Sequence, residues 1–162
     1  MSNIAEEIGK LLREKKVTLG AVESATGGLI SHLITEIPGS SVYYKGSVTS
    51  YSNEIKIKVV GVKESTLEKY GAVSPQVAEE MAAGGRWLLN VDICIADTGI
   101  AGPTGATPDK PDGLFYIGLS NTLGTFSRQY VFKGMRQENK LSAANTALAW
   151  VKEYLESLYI GY

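Results

Sequence analysis

Apolar residues recur at helical spacing from the start of the chain, where Ile4, Ile8, Leu11 and Leu12 share one face behind Asn3 and Glu6. That pairing reads as a capping box and predicts an opening helix. Residues 17–22 then form an apolar run that predicts a strand, and Leu29, Ile30, Leu33, Ile34 and Ile37 return to helical spacing until Pro38-Gly39 stops them. A β-branched and aromatic stretch over 42–51 predicts a second strand. Short helices follow around 55–60 and 65–70. Ser74-Pro75, an N-cap followed by proline at the first helical position, predicts a helix through Leu89. Residues 91–97 are apolar on both faces, as in the middle of a covered sheet. Residues 114–119 and 125–133 flank the polar stretch Asn121-Thr122-Leu123-Gly124 and predict a β-hairpin. A last helix carries Leu141, Ala144, Leu148, Val151, Leu155 and Leu158 as its apolar stripe.

Strands alternating with helices imply a layered α/β domain, and the hairpin makes its sheet mixed. No internal repeat, low-complexity tract or linker interrupts the pattern. The length of 162 residues and 44% apolar content suit one globular domain. With 16 basic and 17 acidic residues the formal charge is −1, so no global positive field points to nucleic acid or to an anionic membrane. Neither a signal-peptide core nor a spanning apolar segment is present in the pattern, which predicts a cytoplasmic protein. The lone Cys94 sits inside an apolar run, has no disulfide partner and reads as a small buried hydrophobe in a reducing compartment. One histidine and one cysteine argue against a soft-metal site. His32, the only histidine, falls within a helix and away from any loop.

Three polar junctions follow the apolar strands. The first is Glu23-Ser24-Ala25-Thr26-Gly27-Gly28, the second runs from Tyr51 to Lys56, and the third is the long loop from Thr98 to Asp112. In a mostly parallel sheet they gather along one edge, where a pocket forms. A serine needs a base to attack at neutral pH. Lysine can serve when desolvation lowers its pKa, with a tyrosine hydroxyl relaying the proton, and Ser24, Tyr51 and Lys56 meet those requirements. Taken singly, each has a plainer reading: Ser24 as an N-cap, Tyr51 as a strand aromatic, Lys56 as a solvated helix residue. The third junction carries Gly99, Gly102 and Gly105, which let backbone N–H groups approach a phosphate, although its spacing matches neither a P-loop nor a dinucleotide fingerprint. Lys110, Arg128 and Arg136 could supply charge there.

Together these segments, with Gly71-Ala72-Val73-Ser74, Thr98-Gly99-Ile100-Ala101-Gly102-Pro103 and Lys110-Pro111, closely resemble the CinA C-terminal domain family over nearly the whole chain. The resemblance implies a three-layer α/β/α sandwich with a mixed, mostly parallel sheet that includes the C-terminal hairpin, as one domain over 1–162. It also implies the stand-alone form, without the molybdopterin-binding-like domain that precedes this module in longer CinA proteins. Characterised members of the family hydrolyse the amide of nicotinamide mononucleotide, giving nicotinic acid mononucleotide and ammonia. The resemblance therefore implies a deamidase with Ser24 as nucleophile and Lys56 and Tyr51 handling its proton. Backbone N–H groups of Thr26, Gly27 and Gly28 are expected as oxyanion donors. Thr98, Gly99, Ala101, Gly102, Gly105 and Lys110 are expected to bind the pyridine mononucleotide, with no cofactor. A homo-oligomer is expected, with Tyr154, Leu158, Tyr159, Ile160 and Tyr162 as one source of interface and core packing as their other use. Asp97, Ala106, Met135 and Lys140 depart from the family pattern, Asp97 standing where a small apolar residue is more usual. The residues themselves leave two other functions open: a non-catalytic nucleotide-binding module, and a serine amidase for another small amide.

Overall fold

The computed structural model describes residues 3–158. In chain order the elements are α1 (Ile4–Lys15), β1 (Leu19–Glu23), α2 (Leu29–Thr35), a 3₁₀ turn (Ser40–Val42), β2 (Tyr44–Thr49), α3 (Asn53–Lys58), α4 (Glu64–Tyr70), α5 (Pro75–Leu89), β3 (Ile93–Gly99), β4 (Leu114–Asn121), β5 (Gly124–Val131) and α6 (Arg136–Ser157). The strands form one sheet in the order β2-β1-β3-β4-β5. β1 pairs parallel with both β2 and β3, whereas β4 is antiparallel to β3 and to β5. Only β4 therefore opposes the common strand direction, and the sheet is mixed.

Side chains alternate across the strands and feed two apolar layers. Leu19 and Ala21 of β1 and Ile93 and Ile95 of β3 pack with α1, α2 and α6. Val22, Cys94 and Ala96 point the other way, onto α5 with Leu67 of α4 and Ile57 of α3 beside it. The result is an α/β/α sandwich. α5 lies very close to the sheet because glycine occupies the contact points. A Cβ on Gly85 would stand 2.2 Å from Val22 Cγ2 and 2.8 Å from Cys94 Sγ, and one on Gly118 would stand 2.3 Å from the Ala78 carbonyl oxygen. Burial also pushes the Cys94 thiol up to about 12, which makes it inert as a nucleophile.

The helix starts follow local chemistry. Asn3 accepts the Ala5 N–H, Ser52 accepts the Ile55 N–H, and Ser74 accepts the Val77 N–H ahead of Pro75. β2 is shorter than the aromatic run that predicts it, because Val42 closes the 3₁₀ turn and Tyr43 turns into the core beside α1. The stripe of α6 also differs. Leu141 and Leu158 are 45% and 40% exposed, and the buried face is made by Ala143, Ala144, Ala147, Leu148, Val151 and Leu155. Alanines let the helix axis approach the sheet, which turns the flanking leucines outward. Tyr154 packs against the core, while Tyr159, Ile160 and Tyr162 lie outside the described residues. Among the described residues no helix is long and apolar enough to cross a membrane.

The close seating of α5 yields a stability prediction. Gly118→Ala places a methyl against backbone rather than against a movable side chain, so urea or thermal unfolding should show a loss of about 1–3 kcal/mol.

Candidate active site

Because β2, β1 and β3 run parallel, their carboxyl ends share one edge of the sheet, and the segments that leave those ends enclose a cleft of about 390 Å³. Its walls include Ser24, Tyr51, Lys56, Thr98, Gly105 and Arg136. Ser24 follows β1 directly. Lys56 enters from α3, the short helix that begins just after β2.

Lys56 is only 1% exposed, and three oxygens surround its Nζ. The carbonyls of Ser50 and Tyr51 lie at 2.8 and 3.1 Å, and Ser24 Oγ lies at 3.0 Å. Burial lowers the lysine pKa, and the charge of Asp97 partly raises it again. Carbonyls can only accept. As an ammonium Lys56 donates to all three oxygens; once neutral it can keep its two N–H groups on the carbonyls and turn its lone pair to Ser24, the one partner with a proton to offer. That arrangement can deprotonate a serine hydroxyl.

The loop after Ser24 is held from below by two carboxyls. Glu23, the last residue of β1, is fully buried and accepts the N–H groups of Gly28, Ile30 and Ser31 at 3.2, 2.8 and 3.0 Å. It thereby caps α2, whose own N-cap residue Gly28 has no side chain to do so. Asp97 of β3 is equally buried and accepts the N–H groups of Ser24 and Thr26, each at 3.1 Å. Both acids reach the Thr26 hydroxyl, Glu23 at 2.7 Å and Asp97 at closer range. Burial pushes the Asp97 carboxyl up to about 6 against the hydrogen bonds from Thr26 and Ser24.

Several residues take positions that differ from those expected. The N–H groups of Thr26, Gly27 and Gly28 are committed to Asp97, the Ser24 carbonyl and Glu23, so they are not oxyanion donors. The turn that ties the loop to the buried carboxyls consumes them. Ala25 is different: it lines the cleft, and among the described residues its N–H has no acceptor. The Tyr51 hydroxyl does not reach Ser24 or Lys56. The residue is 62% exposed and its hydroxyl accepts from Arg136 Nη2 at 3.4 Å, because the buried lysine draws the Tyr51 backbone inward and leaves the ring at the cleft mouth. Lys110 donates to the Tyr70 carbonyl at 2.7 Å, outside the cleft wall, and Arg128 pairs with Glu153. Arg136 alone of the three candidate cations lines the cleft.

The glycine-rich loop is positioned by contacts that no motif announces. Thr98 Oγ1 donates to the Ala72 carbonyl at 2.7 Å, and a side chain at Gly99 would collide with the Phe115 ring, 2.4 Å from its nearest carbon. Gly99 therefore serves packing as well as the cleft. Gly102 and Gly105 have φ of +86° and +100°, which lets the loop bend back over the cleft. Buried Asn139 of α6 donates to the carbonyls of Ala101 and Gly134 and accepts the Gly134 N–H, and Arg136 Nη1 donates to the Gly102 carbonyl at 2.9 Å. Sequence reasoning passed over Glu23 and Asn139 and noted Asp97 only as a departure. The readable signal was an acid ending each of two apolar strands.

The fold and the cleft define a three-layer α/β/α domain with a buried serine–lysine pair at the carboxyl edge of its sheet. The CinA C-terminal domain model matches residues 1–155, and the chain belongs to that family. A putative competence-damage inducible protein of Halothermothrix orenii is 47% identical over 96% of this chain, and a CinA-like protein of Sulfurihydrogenibium is 45% identical over 94%. The chain spans 38% of the length of each of those relatives. Among solved structures, competence damage-inducible protein A from Klebsiella pneumoniae superposes with a TM-score of 0.92 at 29% identity, covering 94% of this chain and 95% of that one. A competence/damage inducible protein from Agrobacterium tumefaciens superposes with a TM-score of 0.89 at 32% identity, covering 96% and 97%.

Buried Asp97 has a consequence for stability. Its folded-state pKa is raised above the ordinary aspartate value of 3.8, so its contribution is fully present at pH below about 4 and is lost as pH rises through about 6. The protein should lose about 3 kcal/mol from this group across that interval, and Asp97→Asn should flatten that part of the stability–pH curve, as read by unfolding at stepped pH.

Proposed function

We propose that this chain is an amidohydrolase that converts nicotinamide mononucleotide to nicotinic acid mononucleotide and ammonia. The observation that carries this reading is Ser24 Oγ at 3.0 Å from the buried Lys56 Nζ, in a cleft that also offers a cation for a phosphate. The substrate follows from the resemblance to the CinA family; the residues supply the chemistry.

In the first step Ser24 Oγ bonds to the carboxamide carbon while its proton passes to Lys56 Nζ. The carbonyl oxygen becomes an oxyanion and takes the Ala25 N–H, the amide next to the nucleophile with no other acceptor. Lys56 then returns the proton to the leaving nitrogen, the C–N bond breaks and ammonia departs, leaving an ester on Ser24. Water attacks that ester, Lys56 accepts one of its protons and returns it to Ser24, and the carboxylic acid leaves, giving its proton to ammonia or bulk water to become the carboxylate. No redox step arises. The substrate phosphate suits Arg136 and the first turn of α6, with the open loop amides around Thr104 and Gly105 opposite. Tyr51 at the mouth flanks the ribose or ring rather than moving the proton.

Ammonia release from nicotinamide mononucleotide by the purified protein tests the reading. Ser24→Ala and Lys56→Ala should each lower kcat by about 10³-fold or more while circular dichroism stays unchanged. A folded wild-type protein that releases no ammonia would refute the proposal. Tyr51→Phe and Arg136→Ala should raise KM more than they lower kcat, since neither residue touches the reacting atoms. Turnover should rise with pH as Lys56 loses its proton, with a midpoint below that of an ordinary lysine because burial lowers its pKa.

A further inference from the structure

Glu23 at the end of β1 and Asp97 near the end of the adjacent β3 both have no exposed surface, and both contact the single hydroxyl of Thr26. A hydroxyl has one proton to give. If Thr26 Oγ1 donates to Glu23 Oε1, its contact with Asp97 Oδ1 must be made by a proton on the carboxyl. Were both acids ionised, one contact would set two lone pairs against each other in a site closed to bulk solvent. The anion belongs on Glu23, which accepts three amides at the start of α2 in addition to Thr26. The proton belongs on Asp97, which accepts only the amides of Ser24 and Thr26.

We propose that Asp97 is a positioning residue that carries a carboxyl proton in the folded protein, donates it to Thr26 Oγ1, and on releasing it places an anion beneath the Ser24–Lys56 pair. The charged groups that act on it or on which it acts are Glu23 from β1 and Lys56 from α3; Lys140 from α6 lies beyond Gly27, its Nζ 3.5 Å from where a Gly27 Cβ would stand. Its β4 partner, Ile117, is apolar. Asp97 and Lys56 then titrate as a coupled pair. While Asp97 is neutral only three uncharged oxygens face the Lys56 nitrogen, and burial favours the amine. Once Asp97 ionises, its charge works against that burial. Asp97 thus sets the pH range over which the amine forms, and its two amide contacts fix the loop that carries Ser24. The catalytic meaning of this rests on Ser24 and Lys56 being the reacting pair, whereas the proton on Asp97 does not.

Carbon-13 NMR of the full chain tests the inference without an activity assay. The Asp97 carboxyl is assigned through its own backbone and β-methylene in the wild type. Lys56 is followed at its ε-carbon and identified by the signal missing from Lys56→Met. The Asp97 carboxyl should titrate about two pH units above an ordinary aspartate. The Lys56 midpoint should fall by about one pH unit in Asp97→Asn and Asp97→Ala. An Asp97 carboxyl that titrates in the ordinary aspartate range overturns the proposal, and so does a Lys56 midpoint unchanged in either folded variant. The wild-type titration decides the first point even if neither variant folds. Both signals report protonation and not turnover, so an absence of ammonia release would remove the proposed function and leave this inference standing.

Discussion

Lys56 gives up its hydration when α3 folds against the end of β2, and the partners it finds there decide what the cleft can do. An ammonium at that depth is costly unless it is paired, and no carboxylate contacts it directly. Two backbone carbonyls and one serine hydroxyl take its place. Such a set can accept from an ammonium but cannot neutralise it, so burial still lowers the lysine pKa. The cost of burying the side chain thereby brings the free amine, the form that can accept a proton, to lower pH. The same contacts explain why Tyr51 contributes a carbonyl from its backbone and leaves its ring at the entrance.

The pair can meet only because β1 is flanked on both sides by parallel partners. Parallel pairing sends the chain out of β1, β2 and β3 at one edge, where Ser24, the Ser50–Tyr51 backbone and the Thr98 loop converge. Glycine keeps the layers close enough for that edge to be narrow. Without side chains at Gly85 and Gly118, α5 rests on the strands themselves, and α6 closes the opposite face through alanines. Asn139 then ties the start of α6 to the Ala101 carbonyl, so the wall that carries Arg136 is anchored to the loop it faces.

Beneath Ser24 two buried acids hold one short turn. Glu23 repairs a helix start that Gly28 cannot cap, and Asp97 fixes the amides on either side of Ala25. Those bonds leave the Ala25 N–H as the open donor beside Ser24. Burial destabilises the ionised form of Asp97 and is the main origin of its raised pKa, with the neighbouring Glu23 adding to it. The cost of burying these acids is offset by the apolar layers on both faces of the sheet.

Periodicity and turn chemistry in the sequence alone determined the alternation of elements, the mixed sheet and the three polar junctions that gather at its edge. Ser74-Pro75 and Pro38-Gly39 act through local backbone restrictions, so they are legible without any fold. The pairing of Ser24 with Lys56 was suggested by chemical need. Their distance depends on how α3 packs, and that is a long-range property. Only the tertiary structure decided that the amides of Thr26, Gly27 and Gly28 are already occupied, that Ala25 is open, and that Arg136 rather than Lys110 lines the cleft. Hydrogen-bond partners are chosen among groups far apart in the chain, and a buried donor takes whichever acceptor the packing brings within reach. Asp97 shows the division most clearly: in the sequence it is one unusual letter at the end of an apolar strand, and in the fold it faces Glu23 across a single threonine hydroxyl.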